Sequence, residues 1–198
     1  MNILAFNGSP RPGGNTELLL EGALKPLREA GNSIRVFKLN IMRMKPCQDC
    51  GGCTKTGRCI HSDDMTNIYD ELREAERIIL ASPIFFYSLS AQTKVMIDRC
   101  QSFWCEKYLL KKSIPAGPPG RKGLLLLVGG MKKDDGRHTA EVVAKAFFRT
   151  VSVPKHETLF FGGVDAIGDI LSHPTAMHDA YEAGLRLGCR SLPGKGKK

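Results

Sequence analysis

The chain has 198 residues, 42% hydrophobic and 25% charged, which are the proportions of a globular domain and exclude global disorder. Its length fits one large domain, and no apolar run approaches the ~20 residues of a membrane span. The formal net charge is +9, and four of the seven cysteines fall between positions 47 and 59. No basic region, apolar stretch and small-residue cleavage site open the sequence, so a cytoplasmic chain with reduced thiols is expected.

Residues 2–6 form a short apolar run and predict a first strand that ends at Gly8. Gly8–Thr16 is turn-rich, and a helical pattern follows with Leu18, Leu19, Ala23, Leu27 and Ala30 on one side. Gly31-Asn32 stops that helix, and Pro26 inside it predicts a bend or an irregularity. Ile34, Val36, Phe37 and Leu39 predict a second strand, parallel to the first because a helix connects them. Residues 40–62 have little periodicity. Ser62-Asp63-Asp64 starts a helix with acids at its N-terminus, and Met65, Ile68, Leu72 and Ala75 are its apolar face.

Arg77–Ser82 reads as a third strand, followed by a loop through Ser88. A helix from about Ser90 carries Val95, Met96, Cys100, Phe103 and Trp104, and the basic, Pro/Gly-rich stretch 105–122 reads as a loop. Gly123–Val128 is a fourth strand, Thr139–Thr150 a helix with Val142, Val143, Ala146 and Phe147, and His156–Phe161 a fifth strand. A last helix runs from about Pro174 to Cys189. Five strands alternating with helices predict an α/β fold: a doubly wound five-stranded parallel sheet in three α/β/α layers. The expected organisation is one domain over 1–190, with a cysteine-rich loop at 45–62 and a basic flexible tail at 191–198.

In such sheets ligands bind beyond the C-terminal strand ends. Gly8, Gly13 and Gly14 let the first loop curl so that its N–H groups converge, and a helix N-terminus adds positive potential. Ser9, Asn15 and Thr16 add donors, and Arg11 adds a fork-shaped cation. No Gly-Lys-Ser/Thr ends this loop and it is not G-x-G-x-x-G, so a terminal monophosphate suits it better than a triphosphate or dinucleotide. The plain alternative is a Gly/Pro turn with a capping Asn or Thr. In the third-strand loop Pro83 adds stiffness, and Phe85, Phe86 and Tyr87 can line a flat apolar ligand or pack on a partner subunit. Gly129-Gly130-Met131 ends the fourth strand, where glycines allow close backbone approach or simply make a turn.

Cys47-x2-Cys50-x2-Cys53-x5-Cys59 gathers four thiols, the ligand set of a 4Fe-4S cluster. Lys45, Lys55 and Arg58 would offset part of the thiolate charge. Zinc, an air-formed disulfide and cysteines kept without a metal are the competing readings. Cys100 fits a buried helix face and Cys189 ends the last helix; neither these nor Cys105 receives a chemical role.

These motifs carry a family resemblance. Gly8-Ser-Pro-Arg-x-x-Gly-Asn-Thr16 resembles the phosphate loop of the flavodoxin-like FMN reductases. Ala81-Ser-Pro-Ile-Phe-Phe-Tyr-Ser88 with Gln92-x-Lys94 and Asp98-Arg99 is similar to their flavin-ring loop and following helix. The cysteine motif after strand two resembles that of the iron–sulfur flavoproteins. The resemblance implies FMN bound by Ser9, Arg11, Asn15 and Thr16 at its phosphate. It places Pro83, Ile84, Phe85, Phe86, Tyr87 and Ser88 around the ring, and the position of Gly129, Gly130 and Met131 beside these loops adds them to the expected flavin site. It also implies a 4Fe-4S cluster on Cys47, Cys50, Cys53 and Cys59, electron transfer with ferredoxin as donor, and a homodimer or homotetramer. Such transfer demands no acid–base side chain, so no catalytic residue is assigned and the five histidines stay without a role.

Between 105 and 137 eight Lys/Arg oppose three acids, and 186–198 holds five basic residues and no acid. The first patch could steer an acidic carrier such as a ferredoxin toward the flavin, or be a solvated surface. No nucleic-acid-binding signature accompanies the charge. The leading expectation is an FMN- and 4Fe-4S-containing electron-transfer flavoprotein acting on a small acceptor. The alternative is an NAD(P)H-dependent FMN/quinone-type reductase without a functional cluster.

Overall fold

Runs such as Ile78-Ile79-Leu80-Ala81 and Leu124–Val128 are apolar on both faces, the pattern of a parallel strand covered by helices above and below. The computed structural model describes residues 1–112, 120–132 and 135–189. Strands β1 (Asn2–Asn7), β2 (Ser33–Lys38), β3 (Arg77–Phe85), β5 (Lys122–Gly129) and β6 (Lys155–Gly162) are parallel neighbours in the order β2-β1-β3-β5-β6. A two-residue β4 (Ser88–Leu89) turns back antiparallel on the end of β3.

Two helical layers cover the sheet. One core joins Ile3, Ala5, Ile79 and Leu126 to α1 (Asn15–Glu29), α6 (Asp169–Ser172) and α7 (Ala176–Gly188). The other joins Leu4, Phe6, Ile78 and Leu125 to α2 (Met65–Glu74), α3 (Ala91–Arg99) and α5 (Asp135–Thr150). The flavodoxin-like doubly wound sheet and its three layers are as expected.

Several details differ. Helix α1 continues through Pro26 to Glu29, and its buried face is Leu19, Leu20, Ala23, Leu24 and Leu27, with Leu18 half-buried against the same core and Ala30 exposed. Pro26 is buried against α7, where Gly184 lets the helices meet: a Cβ there would lie 2.8 Å from Pro26 Cγ and 2.1 Å from the Ala23 carbonyl oxygen. The helix begun at Ser90 breaks at Cys100 into α4 (Gln101–Trp104) and a π-helical turn over Cys105–Leu109, so 105–109 is helical where a loop was expected. Trp104 stays 38% exposed. In α5 the core positions are Ala140, Ala144, Phe147 and Phe148, while Val142 faces out because the pattern is shifted by one residue. The tail at 191–198 lies outside the described residues.

Candidate functional site

Loops from neighbouring strands β1 and β3 lead to helices on opposite faces of the sheet, which opens a crevice at their C-terminal ends. The β1–α1 loop forms one wall. Gly14 is the N-cap residue of α1 and no side chain caps the helix, so its first-turn N–H groups remain available to an anion. Ser9 is buried, and its hydroxyl accepts from the Arg11 N–H at 3.1 Å. Arg11 is exposed, donates from Nη1 to the Asp165 carbonyl at 3.0 Å, and makes no ion pair among the described residues. Thr16 is buried at the first turn. Asn15 is spent differently: its amide donates to the Ala166 carbonyl (2.7 Å) and accepts from Gly168 N–H (2.9 Å), clamping the loop after β6 beside the crevice.

The second wall is a hairpin rather than a plain loop. Strand β3 runs through Pro83 and Ile84 to Phe85, and Ile84 and Phe85 pair with Leu89 and Ser88. The turn residues Phe86 and Tyr87 have φ of 47° and 62°, as a hairpin with two left-handed central residues requires. Phe86 is fully exposed, and Phe85 and Tyr87 are exposed. A cavity of about 390 Å³ lies between this hairpin, Gly129-Gly130-Met131 and the start of α5. It adjoins a smaller one of about 60 Å³ at Ser9, Arg11 and Thr16, and the two share Ile84, Phe85, Gly129, Gly130 and Asp165. The three loops singled out in the sequence therefore meet at one crevice.

A buried hydroxyl chain ties the first two walls together. Ser90 Oγ donates to the Gly8 carbonyl at 2.7 Å and lies 2.9 Å from Thr93 Oγ1, and Ser82 Oγ accepts the Ser90 N–H at 3.0 Å. Gly8 packs so closely here that a Cβ would lie 1.9 Å from Thr93 Oγ1. Sequence reasoning missed this chain, and it missed Arg137, Phe160 and Asp165 in the crevice. The Gly162-Gly163 pair after β6 was the available signal, since that strand ends on the same side as the others.

The cysteine segment is held at its stem. Asp63 accepts from Arg99 through both oxygens, at 2.6 and 3.1 Å, and from the Lys45 and Met65 N–H groups. Arg99 also donates to the Lys45 carbonyl at 2.7 Å. Burial opposes both charges, yet Arg99 and these N–H groups hold the Asp63 carboxyl below the usual carboxylate range. Between the stems, Cys47, Cys50, Cys53 and Cys59 line one small chamber of about 40 Å³. Two features went unforeseen there: Cys105 also lines it, with Sγ 3.5 Å from Cys53 Sγ, and so does Arg99. Burial and the hydrogen bond to Cys105 push the Cys53 thiol up to about 12. Arg99 Nε and His61 Nε2 are buried without partners.

The donor chemistry of this chamber fits an iron–sulfur cluster: four thiols of one segment, with an orphaned guanidinium N–H beside them. The arrangement is not yet closed, since Cys47 and Cys50 are exposed and no described group of three Cys, His, Asp or Glu side chains is set to hold a metal ion. The crevice fits FMN in kind: an anion-ready loop joined to an aromatic-edged cavity of about 390 Å³.

Of the expected steering cations, Arg121 is withdrawn into the protein. It is buried, donates to the Val151 and Arg73 carbonyls at 2.8 and 3.0 Å, and burial lowers it to about 10. Lys107 donates to the Arg149 carbonyl at 2.6 Å. Lys133 lies outside the described residues.

Sheet order, anion-ready loop and adjoining cavity together define a flavodoxin-like nucleotide-binding protein. Residues 1–160 match the NADPH-dependent FMN reductase family, and the chain belongs to that family of flavin-dependent oxidoreductases. It is 28% identical to an iron-sulfur flavoprotein of Methanosarcina thermophila over 169 residues, 85% of this chain and 78% of that one. It is 39% identical to an iron-sulfur flavoprotein of Methanocaldococcus jannaschii over 99 residues, 50% of this chain and about half (51%) of the relative. Among solved structures, an NAD(P)H:quinone oxidoreductase from Methanothermobacter marburgensis shares the fold with a TM-score of 0.66, 17% identity and 97% coverage of both chains. An azoreductase from Bacillus anthracis does so with a TM-score of 0.70 and 15% identity, covering 94% of this chain and 99% of that one. No helix among the described residues is long and apolar enough to cross a membrane.

Proposed function

We propose that the chain is an FMN-containing electron-transfer flavoprotein that holds a 4Fe-4S cluster on Cys47, Cys50, Cys53 and Cys59. It exchanges electrons between a ferredoxin-like acidic carrier and a small acceptor, as a homodimer or homotetramer built from one domain over 1–190. The observation that carries this reading is the convergence of four thiols from one 13-residue segment on a single chamber. The names of the relatives support it.

Bound FMN would supply exchange of one or two electrons, and the cluster exchange of one. The chain's own residues do the positioning. Arg11 and the open first turn of α1 hold the phosphate, with Ser9 and Thr16 as neutral donors, while Asn15 keeps the loop after β6 in place. Pro83–Ser88 and Gly129–Met131 border the ring, and exposed Phe86 is free to stack on it or on a second subunit. Helix α3 joins the two sites: Ser90 at its N-cap belongs to the crevice, and Arg99 in its last turn lines the chamber. Nine residues at 1.5 Å each span ~13 Å.

Anaerobic purification with assays for flavin, iron and acid-labile sulfide tests this. All three are expected together. Flavin without iron or sulfide would remove the cluster and leave the alternative, an NAD(P)H-dependent FMN/quinone-type reductase. The match of residues 1–160 to the NADPH-dependent FMN reductase family supports that second reading.

A further inference from the structure

The chamber has one sulfur more than a four-thiolate cluster uses. Cys105 stands apart from the other two unassigned cysteines. Cys100 is buried in the core, with Sγ directed at the Met96 carbonyl, and Cys189 is exposed at the end of α7. Cys105 instead faces the chamber, 3.5 Å from Cys53 Sγ and 3.9 Å from the Gln101 amide nitrogen.

The apposition is built from both sides. Glu106, the next residue, takes a two-pronged pair from Arg73 at 3.3 and 2.7 Å, and Lys107 anchors the following position on the Arg149 carbonyl. On the other strand of chain, the Cys53 carbonyl accepts from Gly57 N–H at 2.8 Å. Gly57 is buried with φ of 73°, and a Cβ there would come 3.0 Å from Glu106 Cβ. Residue 106 thus seats the turn that presents Cys53. Two thiols 52 positions apart are held in contact by fixed neighbours on each side.

We propose that Cys53 and Cys105 are a dithiol–disulfide pair that a peroxide closes when the chamber is free of metal, so that Cys105 competes with metal for Cys53. The pair rests on the reading of Cys53 as a metal ligand only for this competition. A disulfide needs a separation of ~2.05 Å, a closure of roughly 1.5 Å from the present contact. With hydrogen peroxide as oxidant, the partly exposed Cys53 sulfur takes one oxygen; the O–O and S–H bonds break, the sulfenic acid forms and one water leaves. The Cys105 sulfur then displaces that oxygen, the S–S bond forms, and its proton departs with the oxygen in a second water. Two thiols are oxidised and one peroxide is reduced. A thiol reductant reverses the lock.

The test uses the full chain, stripped of metal anaerobically and treated with one equivalent of hydrogen peroxide, then alkylated and mapped by peptide mass. A Cys53–Cys105 cross-link is expected as the main intramolecular disulfide. Uptake of ferrous iron with sulfide should then fall at least fivefold and recover with dithiothreitol, while Cys105→Ser under the same peroxide should carry Cys53 as a dimedone-trapped sulfenic acid in place of the cross-link. Cys105→Ala, with circular dichroism as a folding check, guards against a serine that fails to pack. Cross-links confined to Cys47, Cys50 and Cys59 would overturn the pair, as would a wild-type chain whose Cys53 stays a dimedone-trapped sulfenic acid as it does in the variants. A chain that forms the cross-link yet takes up no iron when reduced keeps the pair and removes the metal reading. One that loads iron and never forms the cross-link keeps the metal reading and removes the pair.

Discussion

Helix α3 has a neutral end and a charged end, and the two sites at those ends are held by different physics. At Ser90 the phosphate loop and the hairpin are joined by short, uncharged hydroxyl contacts within 2.7–3.0 Å, on strand ends that the sheet already fixes. At Arg99 an irregular segment of 18 residues is closed by one buried ion pair, with side-chain exposures of 0% for Arg99 and 11% for Asp63. A cation in the last turn also suits the helix dipole. Backbone order makes the flavin crevice; a charge pair makes the cysteine chamber. The first should tolerate loss of its ligand, and the second should depend on its clamp.

Breaking the clamp is the largest test. Arg99→Met leaves the Asp63 carboxylate without its partner, and removal of one member of a buried pair costs about 3–5 kcal/mol. Urea unfolding at neutral pH should register that loss, while flavin bound per folded chain stays unchanged. The sign with pH follows from the lowered Asp63 carboxyl: its stabilisation is complete above the ordinary carboxylate range and disappears as pH falls through its folded value. The gap between wild type and variant should therefore shrink in acid. A gap that is flat with pH would show that Asp63 is not the group at work.

The crevice should break without unfolding. Replacing Arg11 and Thr16 by Ala removes a charged and a neutral donor, together about 1.5–3 kcal/mol, or roughly ten- to hundredfold in FMN affinity. Fluorescence titration with FMN reads this, and the melting temperature of the flavin-free protein should hardly move. Retention of flavin at wild-type affinity would move the phosphate away from this loop. Next in size, Gly8→Ala forces a methyl group against Thr93 Oγ1 and should cost about 1–3 kcal/mol by overpacking. Thr93→Ala in the same chain should return part of it, and a double-mutant cycle measures that coupling.

The same contrast explains what the sequence made legible. Features written in consecutive residues were readable: the Gly/Pro loop at 8–16, the aromatic run at 85–87 and the cysteine spacing at 47–59. Partners brought together by topology were not. Arg99 meets Asp63 across 36 positions, Cys105 meets Cys53 across 52, and Ser90 meets Gly8 across 82. Arg121 was misread for the same reason: a cation in a basic stretch looks solvated until the carbonyls of Val151 and Arg73 close over it. The π-helical turn at 105–109 was hidden by the Pro/Gly composition of the residues after it.

The smallest effect is the most discriminating for the crevice. Phe86 sits fully exposed at a φ of 47°, where a bulky L-residue carries about 1–2 kcal/mol of strain. Glycine would relieve that strain but loses about 0.5–1 kcal/mol to the freedom it gains when unfolded. Phe86→Gly in the flavin-free protein should therefore be neutral to about 1 kcal/mol more stable by urea unfolding. An aromatic ring at this strained and solvated position gains nothing from its own fold, which makes flavin and a second subunit the two contacts to test. If the ring stacks on flavin, the variant gains stability and loses FMN affinity. If it packs on a second subunit, the variant keeps its affinity at high protein concentration and loses mass in sedimentation equilibrium. A variant less stable than wild type, with affinity and mass unchanged, would show that Phe86 serves the hairpin of its own chain and neither flavin nor a second subunit.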